Sequence, residues 1–193
     1  MDLFTDDITI ASPAGGPIPV DQNSLTGDFL TATAKKFLLD PVAMGQLFHS
    51  VKLDTIDFKT VDAIFLSAGH GVVVDFIENK ELKAAIESLY AAQKPVAAVC
   101  HAPCALVQCT SADGKPLVAG KQVTGFADTE EDAVGLSGKV PFMLEAKLKE
   151  LGGAYEKADD WNCKVCVAGN LITGQNPQSS EECAKELVKQ IKA

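Results

Sequence analysis

Five residues in a row, Pro95-Val96-Ala97-Ala98-Val99, are small or apolar, and they run straight into Cys100-His101-Ala102-Pro103. So short an apolar run, opening at a proline, reads as a strand buried on both faces, the kind found inside a parallel sheet. Ala105, Leu106 and Val107 then begin an apolar segment that reads as a helix, with Pro103 tolerated in its first turn. A cysteine at such a turn sits at the carboxyl end of the sheet, where open α/β sheets take their ligands. It also faces the positive end of the next helix dipole, which favours thiolate over thiol. The ordinary fate of a free cysteine is burial, and Cys100 alone is better explained by packing. His101 shifts the balance, because an imidazole can activate a thiol near neutral pH. Adjacent residues do not automatically touch through their side chains, however.

A second strand, Val61-Asp62-Ala63-Ile64-Phe65-Leu66-Ser67, runs into Ala68-Gly69-His70-Gly71. Glycines flanking a histidine just past a strand allow a sharp turn that presents N–H groups to a ligand, although a plain turn explains them equally well. Between the strands, Leu82, Ala85, Ile86, Leu89 and Tyr90 recur at helical spacing within residues 79–93. Strand, glycine turn, helix, strand and Cys-His turn make a βαβ unit. Its right-handed crossover puts both turns at one edge of a parallel sheet. Gly69, His70, Gly71, Cys100 and His101 are therefore expected to face one crevice.

The rest of the chain is consistent with this frame. Residues 7–12 form a β-rich run stopped by Pro13, Gly15 and Gly16. Residues 28–40 read as a helix with Phe29, Ala32, Phe37 and Leu38 inward, and residues 41–48 as another, followed by a solvated or capping His49. Gln122-Val123-Thr124-Gly125-Phe126 reads as a strand leading into Asp128-Thr129-Glu130-Glu131-Asp132. Two or three of those carboxylates complement a helix dipole; one is free to orient His101 from across the crevice, as the third group of a nucleophile–base–orienter set. Residues 141–152 read as an amphipathic helix. Val165–Ala168 and Leu171–Gly174 flank Gly169-Asn170, which signals a type I′ hairpin, and Ser179 or Ser180 is the expected N-cap of a last helix.

Size and charge narrow the function. The 193 residues suffice for one substantial core. A formal net charge of −9 repels nucleic acid and anionic membranes, so neither is an expected partner. No apolar run approaches the ~20 residues of a membrane span. Residues 1–7 lack the basic region and apolar core of a secretory leader, so a cytoplasmic location is expected. Of the six cysteines, Cys163 and Cys166 stand in a Cys-x-x-Cys within a strand-like run, where residues three apart face opposite ways. No second pair completes a zinc site, so reduced thiols and no metal are expected.

Taken together, these segments resemble the ThiJ/PfpI superfamily, with its class I glutamine amidotransferase-like fold, and within it the branch of Hsp-thirty-one-type chaperones and cofactor-independent glyoxalases. The likeness is carried by Ile8–Pro13 with Gly15-Gly16, Asp62–Gly71, Val99–Pro103, Thr124–Phe126 and Leu171–Pro177, with Ala102 where the family usually has glycine. It implies a three-layer α/β/α, flavodoxin-like fold with a mostly parallel central sheet, in a single domain over residues 1–193. It further implies Cys100 as nucleophile, His101 as its partner, Glu131 as the acidic member, and backbone N–H groups around Gly69, His70, Gly71 and His101 as an oxyanion pocket. The implied reaction converts a 2-oxoaldehyde such as methylglyoxal to D-lactate with no cofactor, no glutathione and no metal. Members commonly dimerise, which makes a homodimer an expected state. The family's first strand and helix, with a glutamate near the cysteine, have no counterpart in the sequence, so the domain reads as N-terminally shortened and weak or absent activity is expected unless another group substitutes. The alternatives are a stress-response chaperone or protein deglycase, a non-catalytic relative, and a cysteine hydrolase. The last is disfavoured because glutamine amidotransferases place the histidine far downstream of the cysteine.

Overall fold

The computed structural model describes residues 8–192, so the acidic opening at residues 1–7, with the first residue of the expected initial strand, lies outside it. The described residues fall into two compact units, 8–56 and 57–192. Among them no helix is long and apolar enough to cross a membrane.

In the first unit, β1 (Ala11–Ser12) pairs in parallel with β2 (Val51–Lys52). Gly15 has φ +70°, and a Cβ there would stand 2.9 Å from that of Lys52, so only glycine fits. Between the strands lie α1 (Ala32–Leu39) and α2 (Pro41–Phe48). Thr31 caps the first through the Ala34 N–H; Asp40 caps the second through those of Val42 and Ala43, with Pro41 in its first turn. His49 is the exposed C-cap of α2, as expected. The inward face expected of residues 28–40 is not there: Phe29 is 52% and Phe37 39% exposed, Ala32 is exposed, and Leu38 alone is half-buried. An eight-residue helix beside a two-stranded sheet has too little surface facing it to cover such a stripe.

The second unit holds a four-stranded sheet in the order β3 (Ile64–Leu66), β4 (Val96–Val99), β8 (Leu171–Gly174), β7 (Val165–Ala168). The first three strands are parallel and β7 runs against β8. Together with the parallel pair β5 (Gln122–Val123) and β6 (Ala154–Tyr155), this makes a mostly parallel α/β architecture. Every residue of β4 is buried, as its unbroken apolar sequence requires. Both α4 (Lys80–Ala91) and α7 (Ser180–Ile191) pack against it. Leu82, Ala85, Ile86 and Leu89 form the buried stripe of α4, and Asn79 caps it through the Leu82 N–H.

Three local expectations are corrected. The β7–β8 turn has positive φ at Gly169 but not at Asn170, which is the type II′ pattern rather than I′. Asn170 is instead buried and donates to the carbonyls of Tyr90 and Lys94. Ser179 holds the N-cap position of α7, as expected, but makes no side-chain cap bond; its hydroxyl accepts from the Lys164 N–H and donates to Asn176. The segment after Cys100 is a tight 3₁₀ helix over Ala102–Gln108.

Gly174 lies at the β4–β8 contact, where a Cβ would meet Val99 Cγ2 at 2.9 Å and Ser179 Cβ at 3.1 Å. Gly174→Ala is therefore expected to destabilise by about 1–3 kcal/mol through overpacking, read as a lower urea midpoint. Wild-type stability in that variant contradicts the close packing.

Candidate active site

Val99 ends β4, and Cys100 follows in a conformation that L-residues avoid, with φ +64°. Two backbone bonds hold it: its N–H donates 2.9 Å to the Gly174 carbonyl, and its carbonyl accepts 2.8 Å from the Phe126 N–H. Strain of this kind persists only where the surroundings over-determine it, and it places the side chain of Cys100 at the strand end.

The parallel pairing of β3 with β4 brings the two special turns together as the βαβ argument required. The rings of His70 and His101 lie with centroids 3.9 Å apart. Sγ of Cys100 is 3.4 Å from Nδ1 of His101. On the far side of that ring, Nε2 of His101 donates to Glu131 Oε2 at 2.7 Å. Glu131 comes from α5 (Asp128–Ala133), and its other oxygen, Oε1, accepts from Nε2 of His70, also at 2.7 Å. Cys100, His101, Glu131 and His70 thus form one connected chain.

Protonation follows from this wiring. A carboxylate only accepts, so both Nε2 atoms carry hydrogen and Nδ1 of a neutral His101 is left as an acceptor aimed at the thiol. Burial lowers the pKa of His101, and the nearby His70 reinforces that; the bond from Glu131 works against it. Burial likewise pushes the Cys100 thiol up to about 12, with Glu130 and Glu131 adding to the rise and the His101 backbone N–H opposing it. The expectation of a dipole-stabilised thiolate is therefore reversed. Desolvation and two carboxylates outweigh one short 3₁₀ turn, and the resting pair is thiol and neutral imidazole.

Gly69 and Gly71 are exposed and do not use glycine's freedom. Neither has positive φ, and a Cβ on either meets nothing within 4 Å. Their carbonyls and that of His70 accept from Val72, Val73 and Val74, starting a single helical turn, Val72–Asp75. Among the described residues the N–H groups of Gly69, His70 and Gly71 have no protein acceptor, which is what an anion pocket needs.

Three features escaped the sequence. The imidazole of His70, rather than only its backbone, belongs to the site. Phe126 packs against both rings, 4.3 Å from His101 and 5.6 Å from His70, with Trp161 edge-on behind it at 5.8 Å. Glu130, next to the residue singled out, is a structural anchor: it accepts from the N–H groups of Ala127 and Trp161 and from Asn176 Nδ2. Helical geometry could have separated the neighbours, since residues one apart on α5 face different ways. All six cysteines are free; Cys163 is exposed and Cys166 buried, so that pair does not converge.

A strand-end cysteine with a histidine and a carboxylate in line, on a mostly parallel sheet, defines a cysteine-centred α/β fold of the flavodoxin-like type. The profile of the DJ-1/PfpI family matches residues 44–190, and the chain belongs to that family. Among curated relatives, Glyoxalase 3 of Candida albicans is 30% identical, covering 94% of this chain and 80% of its own. Glutathione-independent glyoxalase HSP31 of Saccharomyces cerevisiae is 34% identical over 89% and 76%. Among solved structures, the Rapid Encystment Protein 24 kDa of Francisella tularensis superposes with a TM-score of 0.90 at 35% identity, over 96% of this chain and 81% of that one. Candida albicans glyoxalase III gives 0.86 at 28%, over 95% and 80%.

Proposed function

We propose that this protein is a glutathione-independent glyoxalase that converts methylglyoxal, or a similar 2-oxoaldehyde, to the 2-hydroxy acid D-lactate. The observation that carries the reading is the line from Cys100 Sγ through His101 to Glu131, with steps of 3.4 and 2.7 Å. Its resemblance to two glyoxalases along most of the chain supports the substrate class.

The chemistry follows from the resting protonation. The thiol proton passes to Nδ1 of His101 as sulfur bonds to the aldehyde carbon, so no free thiolate need exist beforehand. The new oxyanion lies against the backbone N–H groups near His70 and takes up that proton, giving a hemithioacetal. Nδ1, neutral again, removes the hydrogen on the same carbon. The electron pair moves to the ketone oxygen and forms an enediolate. The imidazolium returns its proton to the second carbon while the hydroxyl proton of the first carbon passes to the second carbon's oxygen; this leaves a 2-hydroxyacyl thioester on Cys100, which water hydrolyses to the acid and the thiol. Glu131 holds the His101 tautomer throughout, and His70 holds the second oxygen of Glu131.

Glu131→Gln is expected to lower kcat on the order of 10²-fold, because the amide can present a donor to Nε2 and turn the tautomer over. The assay is chirally resolved lactate formation from methylglyoxal with no added thiol. A wild-type chain that forms no lactate overturns the function. Wild-type turnover in Glu131→Gln overturns the role of the carboxylate.

A further inference from the structure

The donor atoms of this site converge on one another as well as on the sulfur. One donor atom from each of His70, His101 and Glu131 lies within 4.8 Å of the other two. In a tetrahedral zinc site, with bonds of about 2.0–2.2 Å, neighbouring ligand atoms stand roughly 3.3–3.5 Å apart. Nε2 of each imidazole stands 2.7 Å from an oxygen of Glu131, so each contact has to open by only about 0.6–0.8 Å to reach that spacing. Two imidazoles and one carboxylate are also the donor set of open zinc sites, in which the fourth position is left to water.

We propose that His70, His101 and Glu131 form a binding site for a divalent cation of the zinc type, and that its occupation excludes the proton relay. The donors are already held in place. Phe126 and His70 flank the His101 ring at 4.3 and 3.9 Å, and α5 carries Glu131 buried beside both imidazoles. The side chain of His70 is 32% exposed and offers the way in, whereas His101 and Glu131 are buried. Coordination requires a lone pair on each Nε2, and each neutral ring then carries its one hydrogen on Nδ1 instead. Nδ1 of His101 thereby changes from acceptor to donor toward Cys100. No base remains for the thiol, so the cation acts as an inhibitor rather than a cofactor. The inference is independent of the substrate proposed above.

The test uses the full chain carrying Cys163→Ser, which removes the exposed thiol as a competing ligand; the protein is kept reduced and stripped with a chelator. Cobalt is titrated by its visible d–d absorption and zinc by calorimetry. One equivalent of each should bind, with four- or five-coordinate cobalt bands. His70→Asn and Glu131→Gln should each weaken binding by more than the ~10–100-fold that an outer-shell partner costs, while Cys100→Ser retains it. Zinc should raise the melting temperature of the parent and not that of His70→Asn. Nitrogen NMR of His101 should place hydrogen on Nδ1 with zinc and on Nε2 without it. Absence of one-equivalent binding, or binding that survives both ligand substitutions or is lost with Cys100→Ser, overturns the site. An unchanged tautomer in the zinc-loaded chain overturns the exclusion. Neither readout needs turnover, so the result stands apart from the fate of the glyoxalase reading.

Discussion

Cys100→Ser is expected to remove lactate formation almost entirely, with a loss on the order of 10⁴-fold or more in kcat. The reason is specific to this site. Serine keeps the shape of cysteine with a smaller atom, and Cys100 is buried with its Sγ 3.4 Å from Nδ1, a partner that a hydroxyl can also use, so the variant should keep its fold. What changes is nucleophilicity. Burial already holds the thiol at about 12, and a hydroxyl is a weaker acid and a poorer nucleophile still, at a site whose His101 is a weakened base. The same logic fixes a second readout. Alkylation of wild-type Cys100 by a neutral haloacetamide should be slow near neutral pH and should accelerate into the alkaline range, with no fast phase at low pH. A reactive thiolate at about pH 6 contradicts a resting pair of thiol and neutral imidazole, and appreciable turnover in Cys100→Ser removes sulfur from the mechanism.

Stability is expected to fall steeply on the alkaline side, beginning near the ordinary pKa of a thiol. Cys100, Cys104, Cys109 and Cys183 are all buried, and desolvation raises each from an ordinary 9.0 to about 12. In the unfolded chain these thiols ionise around the ordinary value; in the folded chain they stay protonated. Between the two values the native state holds more protons, so stability is fully present below pH 9 and is lost as pH rises toward 12. At about pH 10 each thiol costs on the order of 1 kcal/mol and the four together several, comparable with the whole stability of a small domain. Urea unfolding under reducing conditions at about pH 8 and pH 10 measures this. Replacing Cys109 by alanine should remove about a quarter of the slope. A free energy that stays flat over that interval would show that the buried thiols are not held protonated by the fold.

Local physics was legible in the chain itself. The unbroken apolar run of β4 announced a strand covered on both sides, and the spacing of Leu82, Ala85, Ile86 and Leu89 announced the buried face of α4. The short helix read over residues 41–48 formed where it was expected because its first turn involves neighbours in sequence. The handedness of βαβ crossovers then sufficed to bring His70 and His101 to one edge. Where local signals failed, a competing partner from elsewhere had claimed the group. The Ser179 hydroxyl bonds Lys164 and Asn176 instead of making a cap bond to α7, and Asn170 turns to two carbonyls of the preceding helix and loop instead of adopting positive φ.

The sequence alone determined which elements form and which candidate residues stand at their ends, since strand burial, helix periodicity and turn composition depend on nearest neighbours. Only the tertiary structure decided the state of those residues. The left-handed backbone of Cys100, the division of labour between Glu130 and Glu131, and the sharing of one carboxylate by two imidazoles arise from contacts between segments far apart in the chain. Burial is a property of the assembled fold as well, and it reversed the expected thiolate into a thiol. Desolvation acts on a group only once the rest of the molecule has closed around it.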